Sequence, residues 1–165
     1  MIKINCDLTN FVRENQLNIV LFEPEIPPNA GNVARLCAAT GSSLFLVGKL
    51  GFKLEDRHLK RAGLDYWPKV DLYHLESLDE LWLKFSRDCF YLVSTKGKIS
   101  YTKVCYRKGD FLVFGKESAG LPADFLVDNL DRTITIPMPG EIRSLNLSSS
   151  AAIVAYEALR QIHGW

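Results

Sequence analysis

Three stretches of this chain bring glycine, amide, hydroxyl and charged side chains together more densely than ordinary connections do. The first is Pro28-Asn29-Ala30-Gly31-Asn32, leading to Arg35. The second is Phe114-Gly115-Lys116-Glu117-Ser118-Ala119-Gly120-Leu121-Pro122, and the third runs from Ile136-Pro137-Met138-Pro139-Gly140 into Ser144-Leu145-Asn146-Leu147-Ser148. A glycine such as Gly115 lets backbone lie flat against a ligand. In Ser144 to Ser150 hydroxyl side chains can cap the helix they open, and the same helix start presents amide donors to a bound group. Loops of this kind can present backbone amides to a bound group. Taken alone, Gly115 and Gly120 fit ordinary turn chemistry, and Arg35 on a helix fits a solvated charge.

Several other chemistries are excluded. There is no G-x-G-x-x-G after the first strand, so a dinucleotide site of that type is missing. In GKESAG the lysine follows the first glycine, whereas a phosphate loop places it after the second. No G-x-S-x-G elbow occurs, and His58, His74 and His163 stand beside no obvious nucleophile. Cys6, Cys37, Cys89 and Cys105 are far apart with no C-x-x-C pair, so they read as free thiols and no metal site is expected.

These loops need elements to position them. Ile19 to Phe22 is a buried strand ended by Glu23-Pro24 and the Pro27-Pro28 pair. From Asn29 the apolar spacing of Val33, Leu36 and Cys37 predicts a helix, with Gly41 as its C-terminal cap. Leu44 to Val47 and Val70 to Tyr73 predict two strands, with a short charged helix in LEDRHLKRAG between them. Ser77 and Glu80 stand in a capping-box relation ahead of Leu78, Leu81, Trp82 and Phe85. Runs at Phe90 to Val93, Phe111 to Phe114 and Thr133 to Ile136 predict three further strands, each delivering a polar or glycine-rich loop. Asn146 to about His163 predicts the longest helix. Continuous apolar strands alternating with helices indicate an α/β fold with a mostly parallel sheet and helices on both faces. Ligands in such sheets sit outside the carboxyl ends of the strands.

Composition sets the frame. The chain has 165 residues, 47% hydrophobic and 24% charged, which suits a single folded domain over residues 18–165 with residues 1–17 as an N-terminal extension. A formal net charge of +1 makes the whole protein no magnet for polyanions, so any nucleic-acid surface is local. No stretch is apolar enough to span a membrane and the N-terminus lacks a secretory pattern, so a reducing, cytoplasmic setting is expected.

From Asn18 to Gln161 the sequence resembles the SPOUT superfamily of RNA methyltransferases, and within it the small TrmL-type (YibK-like) tRNA 2'-O-methyltransferases. The segments NIVLFEPEIPPNAGNVARLCAATG, RAGLDYW, FGKESAGLP and SLNLS carry the likeness. The resemblance implies a deep C-terminal trefoil knot whose loops hold S-adenosylmethionine. On matching positions, Val93, Ser94 and Thr95, then Phe114, Gly115 and Glu117, then Ile136, Met138, Ser144, Leu145 and Asn146 would line the cofactor pocket. It also implies catalytic roles for Arg35, Asn29, Ser144 and Asn146, with Arg35 engaging the ribose 2'-hydroxyl and adjacent phosphate. Arginine stays protonated in proteins, so stabilising a developing alkoxide is physically easier for Arg35 than acting as a base. Arg57, Lys60, Arg61, Lys96 and Arg143 would form an RNA-binding track, with Lys49, Lys53 and Lys98 nearby in sequence. The resemblance further implies a homodimer that binds a tRNA anticodon stem-loop and methylates the wobble cytidine or modified uridine, without metal or membrane. Other readings are another tRNA or rRNA nucleotide as target, or a knot protein that binds RNA without turnover. Ser149 stands where the family often has Asn.

Overall fold

In a computed structural model, residues 4–5, 8, 11, 15–54 and 66–165 are described. The predicted charged helix in LEDRHLKRAG falls almost wholly outside them.

The strands are β1 (Ile4–Asn5), β2 (Asn18–Phe22), β3 (Ser43–Val47), β4 (Leu72–Leu75), β5 (Phe90–Val93), β6 (Ile99–Ser100), β7 (Phe111–Phe114) and β8 (Thr133–Thr135). They form one eight-stranded sheet in the order β1-β4-β3-β2-β7-β5-β8-β6, and every pairing is parallel. Among the described residues the α-helices are α1 (Pro27–Thr40), α2 (Asp79–Lys84), α3 (Ala123–Val127) and α4 (Leu147–His163).

Alternation along each strand divides the core into two layers. Ile19, Leu21, Leu44, Leu46, Leu112 and Phe114 face one side, packed with Val33 and Cys37 of α1 and Ala151, Val154 and Ala158 of α4. Val20, Phe45, Val47, Phe90, Phe111 and Val113 face the other, with Leu81 of α2 and Leu126 of α3. Small residues on α4 let it lie close to α1 and the sheet. On the second face Phe11 meets Phe45, Tyr73 and Phe85 edge-on, and Phe90 stacks on Phe111. The residues before Asn18 contribute directly here: Ile4 and Asn5 pair with Leu72 and Tyr73, and Leu8, Phe11 and Leu17 are buried.

Local signals account for most boundaries. α1 begins at Pro27 rather than Asn29, because proline at the first helical turn lacks only an amide that would be unpaired anyway. It ends as expected at Gly41, whose φ of 66° is the left-handed cap. β4 begins two residues later than the apolar run suggests, since Val70 closes a 3-10 turn over Trp67–Lys69. The expected capping box forms by half. Glu80 accepts the amides of Glu76 (2.8 Å) and Ser77 (3.2 Å), but α2 starts at Asp79 without a side-chain cap, and Phe85 is already its terminus. The two-residue edge strands β1 and β6 carry too little pattern to be read from sequence.

One connection has an unusual course. β8 lies between β5 and β6, with Ile134 in register with both Val93 and Ile99. The link from Ser94 to Lys98 therefore straddles β8. Ser94 donates its amide to the Ile134 carbonyl at 3.0 Å, and a Cβ at Gly97 would come within 2.7 Å of Ile134 backbone. Only glycine permits that crossing.

Candidate functional site

The loops leaving the carboxyl ends of β5, β7 and β8 meet the start of α4 around one cavity of about 620 Å³. That is the position expected for a ligand in a parallel α/β sheet, and the volume is that of a small-molecule site. All eleven residues expected in the cofactor pocket line it: Val93, Ser94 and Thr95 from the β5 loop, Phe114, Gly115 and Glu117 from the β7 loop, Ile136, Met138, Ser144, Leu145 and Asn146 from the third. Asn29 lines it from α1, and Lys96 and Arg143 stand among its walls.

A relay of amides and a carboxylate joins these loops. Glu117 accepts the backbone amides of Glu25 (2.8 Å) and Ile26 (3.3 Å) and the Asn29 side-chain amide (2.8 Å). The Asn29 carbonyl oxygen in turn accepts from the Asn146 side-chain amide at 2.9 Å. Asn146 caps α4, its oxygen accepting the amides of Ser148 (2.9 Å) and Ser149 (3.4 Å) and the Ser148 hydroxyl (2.7 Å). Glu117, Asn29 and Asn146 thus tie the second loop, the α1 start and the α4 start into one unit. Asn29 is buried, so a missing partner there would leave a desolvated amide. Glu117 also places a carboxylate at the positive end of α1, which has no side-chain cap of its own.

The second loop is held in both directions. Lys116 pairs with Glu23 at 2.9 Å, and the hydrogen bond from Lys116 to Glu23 holds the ammonium pKa above its ordinary value. Glu25 accepts the Ser118 amide (2.8 Å) and hydroxyl (2.9 Å). Those bonds, the hydroxyl's first, hold the Glu25 carboxyl below the usual carboxylate range. Gly115 is required sterically, because a Cβ there would lie 2.0 Å from the Gly120 carbonyl carbon.

Arg35 does not line the cavity. It is exposed on α1 six residues beyond Asn29, about 9 Å along the axis and on another face. Its guanidinium carbon lies 5.1 Å from the centre of the Tyr66 ring, a cation–π contact. Lys96 and Arg143 are exposed, while Arg57, Lys60 and Arg61 lie outside the described residues. Among the described residues no group of acidic, histidine or cysteine side chains could hold a metal, and no helix is long and apolar enough to cross a membrane. Cys37 and Cys89 are buried free thiols and Cys105 is an exposed one.

Sequence reasoning missed Glu23, Glu25 and Lys116. The signal was the complementary pair of segments Glu23-Pro24-Glu25 and Lys116-Glu117-Ser118, legible only once the two loops are known to touch.

The chain is similar to known methyltransferases. A protein of Bacillus subtilis (strain 168) is 47% identical over 148 residues, 88% of this chain and 92% of its own length. The tRNA (cytidine(34)-2'-O)-methyltransferase of Yersinia pestis is 46% identical over 153 residues, 88% of this chain and 94% of its own. A solved structure described as giving structural insights into the 2-OH methylation of C/U34 on tRNA superposes with a TM-score of 0.86 at 46% identity, over 92% of this chain and 99% of that one. The methyltransferase AviRb from Streptomyces viridochromogenes, solved in complex with AdoMet, superposes with a TM-score of 0.77 at 27% identity, over 91% of this chain and 62% of that one. The profile of the SpoU rRNA methylase family matches residues 16–156, and the chain with its three-loop cavity belongs to that family.

Proposed function

We infer that this protein is a cytoplasmic, S-adenosylmethionine-dependent tRNA 2'-O-methyltransferase acting on the ribose of the wobble nucleotide, a cytidine or modified uridine. The observation that carries this reading is the convergence of the three motif loops on one cavity, in a chain nearly half identical to a tRNA (cytidine(34)-2'-O)-methyltransferase over most of both lengths.

The residues present fit the cofactor. Phe114, Ile136, Met138 and Leu145 offer apolar surface for a flat base, while Ser94, Thr95, Ser144 and the loop backbone offer polar edges for ribose and amino-acid groups. When bound, S-adenosylmethionine supplies an activated methyl group on sulfonium sulfur. What the protein must add is alignment of the hydroxyl with that carbon and exclusion of water. The Glu117–Asn29–Asn146 relay supports this by holding the cofactor loops and α1 at fixed spacing. Ser144 stands at the cavity wall, where a ribose would contact it.

Arg35 serves the substrate side. Its place outside the cofactor cavity suits a cation that meets the 2'-oxygen and its neighbouring phosphate from across the nucleotide. The cation–π contact with the Tyr66 ring holds the guanidinium in place, which suits stabilisation of the developing alkoxide. Lys96 and Arg143 extend positive charge along the rim for the anticodon stem-loop, with Arg57, Lys60 and Arg61 as further phosphate contacts. The protein works as a homodimer, supported by Ile153 and Tyr156, apolar and aromatic side chains that α4 leaves 37% and 50% exposed. A deep trefoil knot belongs to the same reading, supported by the link over β8 at Ile134, through which the following segment would thread.

The test is transfer of label from S-adenosylmethionine into unmodified tRNA, with the product nucleotide mapped. Label at the wobble 2'-oxygen is expected, and Arg35→Ala should reduce it about 100-fold or more, as loss of a transition-state charge partner does, while cofactor binding persists. Label elsewhere in tRNA or in rRNA would move the target. Binding of both ligands without label would leave a non-catalytic RNA-binding protein.

A further inference from the structure

Glu25 is absent from the cavity lining, yet it holds the cavity wall from behind. The Gly115–Gly120 loop is closed on itself: the Gly120 amide donates to the Lys116 carbonyl at 2.8 Å, the two residues form an antiparallel bridge, and Gly115 packs on Gly120 backbone. Closure of that kind sets the shape of a loop but leaves it free to rock as a unit on its stems. Its placement against the rest of the protein comes from side chains.

Glu117 reaches outward to the backbone at Glu25 and Ile26. Glu25 reaches the opposite way, one oxygen on the Ser118 amide and the other on its hydroxyl. The two carboxylates therefore cross between the same pair of loops, Glu117 held by the Glu25 and Ile26 amides and Glu25 by the amide and hydroxyl of Ser118. Glu25 is itself a firm anchor. The Gly51 amide donates to the Pro24 carbonyl at 3.0 Å, and Gly51 approaches so closely that a Cβ there would lie 2.7 Å from the Glu25 Cα.

Resting on the methyltransferase reading above, we propose that Glu25 is a positioning residue for the cofactor, fixing the Lys116–Ser118 backbone at the height the ligand requires. It touches neither cofactor nor substrate, and acts through Ser118.

The test measures S-adenosylmethionine affinity by calorimetry on the full chain, with steady-state KM and kcat beside it. Glu25→Ala should weaken cofactor binding about tenfold, the scale of losing charge-assisted hydrogen bonds, with the effect on KM exceeding that on kcat. Glu25→Gln keeps an acceptor oxygen and should recover part of the affinity, while Ser118→Ala, which retains the backbone amide, should cost less than Glu25→Ala. The double variant should be no worse than Glu25→Ala alone. Thermal melting of each variant confirms folding, and if Glu25→Ala does not fold, Glu25→Gln and Ser118→Ala carry the comparison. Wild-type affinity in the folded variants, additive losses in the double variant, or a loss confined to kcat would overturn the proposal alone. Failure of the unaltered protein to bind S-adenosylmethionine would overturn the methyltransferase reading and this proposal with it.

Discussion

Asn29 is the residue on which the site turns, because both ends of its amide are committed: its nitrogen to Glu117 and its oxygen to Asn146. Replacing it with alanine removes two bonds, takes from Glu117 one of the three N–H donors it accepts, and leaves the Asn146 amide without its partner. Asn29→Ala should destabilise the fold by about 1–3 kcal/mol, read from urea unfolding, and weaken S-adenosylmethionine binding in the same variant. An unchanged unfolding midpoint would show that solvent replaces the lost bonds. Thiol chemistry offers a second residue-level check. Burial pushes the Cys37 thiol well up from its ordinary range, whereas Cys105 is exposed. In native protein Cys105 should react with a thiol reagent while Cys37 reacts only after denaturation. Comparable native rates for the two would contradict the packing of α1.

At the level of elements, the loop after β7 and the start of α4 depend on a few small or capping residues. Gly115→Ala forces a methyl group into Gly120 backbone and should cost about 1–3 kcal/mol, the range for overpacking a tight site. Cofactor affinity should fall with it. Asn146→Ala removes the α4 cap, worth about 1 kcal/mol, and also the Asn29 contact, so its unfolding midpoint should shift beyond a simple cap loss. Gly41 was readable as a cap from local pattern, whereas Asn146, read from sequence as the first helical residue, is the cap of a helix that begins at Leu147. The Ser77–Glu80 pair shows where local pattern stops. Glu80 folds back as expected, yet the helix it opens is short because Phe85 turns to the second core layer instead of extending α2.

For the whole molecule, stability rests on a parallel sheet buried on both faces. Phe111, fully buried between β2 and β5, contacts the rings of Phe45 and Phe90. Phe111→Ala should cost about 3–5 kcal/mol, measured by urea unfolding, and a loss under 1 kcal/mol would mean the second layer relaxes to fill the space. The homodimer proposed from α4 predicts twice the chain mass in sedimentation, and Tyr156→Glu should shift it toward the monomer. A wild-type monomer would remove that part of the reading.

The apolar runs of the six longer strands and the two long helices were written in local sequence, because burial, period and capping act within a few residues. The eleven pocket positions were reached through family likeness on motifs that are local strings too, and the tertiary structure gathers all of them round one cavity. What stayed hidden needed contact between segments distant in the chain. Glu23 and Glu25 lie more than 90 residues from Lys116 and Ser118, and no periodicity encodes their meeting. The strand order, with β8 slipped between β5 and β6, was equally unreadable, since a parallel pairing is satisfied by backbone hydrogen bonds that every sequence supplies. Arg35 shows the same division: its place on a helix follows from apolar spacing, but its absence from the cavity wall and its cation–π contact with Tyr66 are decided by tertiary packing.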